Sequence, residues 1–225
     1  MSLPKTVEYT LDNGLKVLLM DWKLAPIASC FVWYRVGARN ERPGITGISH
    51  WCEHMLFKGG KRYGKGDIFG VTARLGGSNN GFTSEDFTAY YETVPAEHLE
   101  VAMDIEADRM VNAVIDPDEV ASERTVIISE REGAENSPEY LLYELISSVS
   151  YTAHPYRWGV LGYKEDLRAI TRDDLYTYYK QHYAPNNAVL IITGDFDEKK
   201  TRKLVDKYYA DLEPNELPEI GRAHV

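Results

Sequence analysis

Residues four apart on a helix stand one turn apart on the same side, and the pair His50 and His54 in His50-Trp51-Cys52-Glu53-His54 therefore constrains this chain before anything else does. On such a helix both imidazoles can converge on one ion, and Glu53, three positions after His50, shares their face. Breakers flank the run, Pro43-Gly44 before it and Gly59-Gly60 after it, and they confine a helical stretch to residues 45–57.

The chain opens as a hairpin. Residues 7–10 and 15–20 read as strands, and Asp12-Asn13-Gly14 supplies the positive φ angles of a short loop. Residues 28–36 form another apolar strand, and 67–75 suit a short helix closed by Gly76-Gly77. Two extended segments, 81–83 and 88–93, flank the turn Ser84-Glu85-Asp86. Pro95 is expected to open a long helix containing Leu99, Met103 and Met110, and Asp116-Pro117 opens another that runs to about residue 135. Further helices are expected over residues 138–149, 171–183 and 198–209, with an irregular stretch at 154–162 and a buried-looking strand at 188–193. Strands and helices alternate unevenly, which predicts an α+β fold and not a regular parallel array. No composition shift marks an internal boundary. Residues 1–213 are expected to form one domain, and 214–225 read as the start of a linker.

The formal charge is −10, from 35 acidic against 25 basic residues. Nucleic-acid binding needs a clustered basic surface, so no such partner is expected. Two cysteines, Cys30 and Cys52, imply no disulfide framework, and no run of about 18 apolar residues is present to span a membrane. Nothing ahead of the first strand reads as a basic-then-apolar leader. The expected compartment is the cytoplasm, or the periplasm if a leader has been removed.

A catalytic zinc takes three protein ligands and leaves a fourth position open. Beyond the two histidines, the residues leave the third ligand undecided. Cys52 points away from His50 and His54 on the same helix, whereas Cys30 on its strand stays in play. The helix after Asp116 offers Glu123 and Glu130, two turns apart on one face among apolar neighbours. Buried carboxylates need a partner, and a metal is a good one. Two exposed glutamates on an amphipathic helix are nonetheless the commoner occurrence.

The stretch Gly47-Ile48-Ser49-His50-Trp51-Cys52-Glu53-His54-Met55-Leu56-Phe57-Lys58-Gly59 resembles the active-site helix of the pitrilysin family of zinc peptidases, which includes insulin-degrading enzyme and the mitochondrial processing peptidase. His-x-x-Glu-His is the reversed form of the commoner His-Glu-x-x-His motif. In that family a glutamate ligand follows the second histidine by 76 residues within Glu-Arg-x-Val-Ile-x-x-Glu; here Glu130 follows His54 by 76 (130 − 54), and residues 123–130 reproduce the stretch. Asn79-Asn80-Gly81-Phe82-Thr83 resembles the family's Asn-Ala-x-Thr strand, with Gly81 replacing the usual alanine. His154-Pro155-Tyr156 and Tyr183-Ala184-Pro185-Asn186-Asn187 also match, while Trp51 stands where phenylalanine is more typical.

The resemblance implies a mixed, mostly antiparallel sheet with helices packed on one face, forming one half of a pitrilysin-type peptidase. It implies one Zn2+ per chain bound by His50, His54 and Glu130, with Glu53 as general base and Glu123 orienting a ligand histidine. Asn80, Gly81, Phe82 and Thr83 would form the strand on which an unfolded peptide docks. The implied function is a zinc-dependent endopeptidase. The alternative is a catalytically incomplete metal-binding half, or a scaffold subunit like those of respiratory complexes. The family pairs two similar halves, so a second homologous half is the implied partner, in the same polypeptide, in another subunit or in a homodimer. A lyase acting on S-ribosylhomocysteine also carries His-x-x-Glu-His, but completes its site with a downstream cysteine, and no cysteine follows Cys52. His98, His182 and His224 are expected at the surface or at helix ends, and His154 in a loop.

Overall fold

Inward and outward side chains alternate along the strands, and the alternation decides which face the helices cover. The computed structural model describes residues 4–218. Six strands, β1 Thr6–Thr10, β2 Lys16–Asp21, β3 Ile27–Tyr34, β4 Ser78–Thr83, β5 Thr88–Pro95 and β6 Ala188–Gly194, form one sheet in the order β1-β2-β6-β3-β5-β4. All neighbours are antiparallel except β2 and β6. This is the expected mixed, mostly antiparallel α+β sheet.

On one face Val17, Leu19, Cys30, Val32, Tyr34, Tyr90, Leu190 and Ile192 are buried, in one cluster with side chains from the helices. The helices are α1 Ile48–Met55, α2 Asp67–Arg74, α3 Leu99–Asn112, α4 Pro117–Ala134, α5 Pro138–Ser150, α6 Lys164–Ala169, α7 Arg172–His182 and α8 Glu198–Tyr209, of which α2 and α5 add nothing to that cluster. The other face carries half-buried aromatics; Phe31 stacks on Tyr91 with centroids 4.7 Å apart, and Trp33 meets Phe82 edge-on at 5.4 Å. β4 is an edge strand, paired on one side only, with β5.

Several boundaries differ from the sequence expectation. Pro95 does not open a helix. It pairs with Ile27 at the end of β5, a place where a missing N–H costs little, and a 3-10 turn over Ala96–His98 precedes α3. Helix α1 begins at Ile48 because Gly47 sits at φ 86°, outside helical geometry. Helix α6 was not anticipated; six residues are too few to show a period. His182 does end a helix, as expected, but it is buried. Of the expected linker, residues 214–218 form no helix or strand, while 219–225, with His224, lie outside the described residues. No helix among the described residues is long and apolar enough to cross a membrane.

Candidate metal centre

Helix α1 is too short to be stable alone, so its position has to come from its surroundings. Its first amides are capped from outside: the buried carboxylate of Glu41 accepts from Gly47 N at 2.8 Å and from Ser49 N at 2.9 Å. Burial nevertheless pushes that carboxyl up to about 7. Gly47 is the residue the turn requires, since a Cβ there would lie 2.8 Å from Leu161 O and from Leu167 Cδ2. Asp166 of α6 ties down the preceding loop by accepting from Gly44 N, Thr46 N and Thr46 Oγ1 at 3.1, 3.1 and 2.6 Å. From α7, Tyr178 reaches Ser49 Oγ at 2.7 Å. Trp51 is fully buried beneath the Arg124 guanidinium of α4, which also donates to the carbonyls of Leu167 and Ile170. Helix α1 is thus fastened at its start, middle and flank.

This frame brings three donor atoms together. His50 Nε2 and His54 Nε2 are 3.2 Å apart, and each lies 3.6 Å from Glu130 Oε2 on α4. A tetrahedral zinc about 2.0–2.2 Å from each ligand would hold neighbouring donor atoms about 3.3–3.5 Å apart, so the three side chains fit that ion. Among the described residues no other group of three such side chains converges this way. Burial, reinforced by the charge of His54, holds His50 down at about 3, which keeps its imidazole neutral and able to ligate.

Glu123, two turns before Glu130 on α4, receives His54 Nδ1–H at 2.9 Å. That bond leaves the Nε2 lone pair of His54 facing Glu130 and His50. Burial alone would raise Glu123, but hydrogen bonds from Lys58 and His54 hold its carboxyl below the usual range. Lys58 Nζ sits 2.5 Å from Glu123 Oε2.

Glu53 is buried, and burial raises its carboxyl above the ordinary value although the Thr83 hydroxyl donates to Oε2 at 2.7 Å. Together with His54, Phe57, Lys58, Phe69, Asn80 and Glu123 it lines a cavity of about 230 Å³. Along β4 the side chains alternate as the pleat demands. Gly81 and Thr83 face Glu53, whereas Phe82 turns to Trp33 on the far face of the sheet. The Asn80 side chain folds back and accepts from Gly81 N at 2.9 Å.

Sequence reasoning missed three members of this assembly: Glu41, Asp166 and Lys58. Asp166 acts over 120 positions or more, and Glu41, six and eight positions from the amides it caps, stands at the end of a 3-10 turn and across a loop, outside any regular spacing. Lys58 stood inside the quoted motif, and its spacing of four from His54 was the available signal. Behind the site Arg109, fully buried, stacks over Phe57 and Tyr90 and pairs with the buried carboxylates of Glu92 and Glu106.

Comparison with known proteins identifies the family. Residues 16–162 match the family model of insulinase, peptidase family M16, and residues 169–224 match that of the peptidase M16 inactive domain. The uncharacterized zinc protease YmxG of Bacillus subtilis is 32% identical over 205 residues, covering 91% of this chain and 50% of that protein. The zinc protease PqqE of Helicobacter pylori is 32% identical over 212 residues, covering 93% and 48%. The crystal structure of a protease from Helicobacter pylori superposes with a TM-score of 0.93 at 31% identity, covering all of this chain and 54% of that one. The chain therefore spans about half the length of these relatives. On the match over residues 16–162, and on a fold shared with one of its proteases, this chain belongs to the insulinase family of peptidases, M16.

Proposed function

We propose that the chain is the zinc-carrying half of an endopeptidase that hydrolyses unfolded peptides. The observation that carries this reading is the convergence of His50, His54 and Glu130 within 3.6 Å of one another, beside the buried carboxylate of Glu53. One zinc ion per chain, held by those three side chains, would supply Lewis acidity toward a scissile carbonyl and its attacking water. Glu53 takes the proton of that water and returns it to the leaving amine, a task suited to a carboxyl raised by burial. Glu123 fixes the ring of His54 from behind. The free side of β4 offers unpaired backbone groups, and an extended peptide adds there as a further strand, with Asn80 at the cavity. Such docking reads backbone more than side chains, which favours unfolded substrates.

The share of the relatives' length that the chain covers supports a second reading of the same site, in which catalysis awaits a second homologous half, in cis or as a partner chain. One experiment separates the two: cleavage of a quenched, unstructured peptide by the zinc-loaded chain, with Glu53→Gln as control. Cleavage that disappears in the variant supports an endopeptidase complete in this half. Zinc binding without cleavage, restored by adding the second half, supports the incomplete one. Undiminished cleavage by Glu53→Gln sinks the assignment of the base in either case.

A further inference from the structure

We propose that Thr83 is a positioning residue for Glu53, and that its hydroxyl serves the base instead of contacting the peptide. The inference rests on Glu53 acting as the general base.

The hydrogen bonding is directional. Thr83 Oγ1 lies 2.7 Å from Glu53 Oε2, and an ionised carboxylate can only accept, so the hydroxyl donates. The competing neighbour is Thr88 Oγ1, at 3.4 Å, which spends its own proton on Val36 O at 2.9 Å. The single proton of Thr83 therefore belongs to the nearer carboxylate.

The strand holds this donor firmly. Thr83 is the last residue of β4, paired with Thr88 across the ladder, and its β-branch restricts rotation at χ1. Glu53, with three rotatable bonds, gains a fixed point at the end of its side chain. Its other oxygen meets β4 differently. A Cβ on Gly81 would stand 3.2 Å from Glu53 Oε1 and 3.0 Å from the rings of Phe57 and Tyr90, so the glycine leaves that side of the carboxylate uncrowded. Oε1 carries no hydrogen bond from the described residues and is left to take a proton.

One edge strand then performs two tasks. Its backbone aligns the peptide and its last side chain aligns the base, so the reacting carbonyl and the proton acceptor share a frame. Small errors in such alignment are costly, because rate depends on sub-ångström placement.

The test uses the full-length protein with Thr83→Val, which keeps the shape and loses the hydroxyl, and Thr83→Ser, which keeps the hydroxyl. For Thr83→Val we expect kcat to fall about 10–100-fold, the range seen when a group that orients another is lost. KM, the affinity for a labelled peptide by fluorescence anisotropy, and bound zinc should stay within about twofold, and Thr83→Ser should recover most of the turnover. In a Glu53→Gln background, Thr83→Val should change nothing further. An unchanged kcat in Thr83→Val, a loss appearing instead in KM and peptide affinity, or a loss of zinc overturns the proposal. Normal turnover by Glu53→Gln alone is a separate result, and it removes the base reading itself.

Discussion

Helices α1 and α5 face opposite ways. In α1 six of eight residues are buried, among them Trp51 and Met55. In α5 only Ser147 of thirteen is buried, and Leu142, Leu145, Ile146 and Val149 are 57%, 60%, 52% and 65% exposed. The inward side of α5 is polar: Glu144 and Tyr140 meet Arg131 of α4. Local devices hold this helix, with the Ser137 hydroxyl accepting from Tyr140 N and Pro138 in its first turn. Helix α1 has no side-chain cap at its N-cap residue and depends on packing and on Glu41 in the loop before it. The contrast shows that amphipathicity specifies a helix but not the direction of its apolar side. Polar pairings settled the direction for α5, and core packing settled it for α1.

The comparison breaks most readily at Trp51. Trp51→Ala should cost about 3–5 kcal/mol in urea denaturation, because it empties the centre of the α1 packing and strands the Arg124 guanidinium above it. A loss near zero would mean that α1 is held by its ends alone.

A pH dependence sharpens the same point through α7. His182 packs on Tyr178, with ring centroids 4.5 Å apart, and Tyr178 in turn binds Ser49 of α1. Burial holds His182 down at about 4, below its unfolded value of about 6.5. The unfolded chain therefore binds the extra proton between those two values. Stability from this group is complete above pH 6.5 and is lost as the pH falls toward 4, by up to about 3 kcal/mol. Unfolding free energies of the wild type and His182→Gln, measured across that range, should converge as the pH drops. Parallel curves would remove His182 as the cause.

The smallest effect belongs to α5. Leu145→Ser should alter stability by no more than about 0.5 kcal/mol, since the leucine is already in water in the isolated chain. A thermal shift comparable to that of Trp51→Ala would show that α5 is covered in solution.

Much of this was legible in the sequence because local periods and fixed spacings carry it. The His50–His54 face needs only helical geometry, whereas the two-turn spacing of Glu123 and Glu130 on α4 left them undecided until the resemblance singled them out. The hairpin β1–β2 was signalled by Asn13-Gly14, although only Gly14 takes a positive φ, at 87°. Illegible were the features set by loop path and tertiary packing: Glu41 capping α1 across an irregular loop, Asp166 holding the loop at Thr46, and Thr83 on Glu53. Thr83 was expected on the strand where a peptide docks, with no direction assigned to its hydroxyl. Its direction depends on the pleat of β4 relative to α1, which no local pattern encodes.

The place of β6 in the sheet has a consequence for how the chain acquires its structure. The last strand in sequence lies between β2 and β3 and pairs along its length with both. Until residues 188–194 arrive, the hairpin β1–β2 has no sheet to join, and β3 lacks one of its two neighbours. Closing those ladders brings together segments more than 150 positions apart, which makes for high contact order and slow folding. During synthesis His50, His54 and Glu130, the proposed zinc ligands, leave the ribosome well before the sheet that supports them can be completed. The three side chains are therefore spelled out early and brought together late, after the strand that completes the sheet.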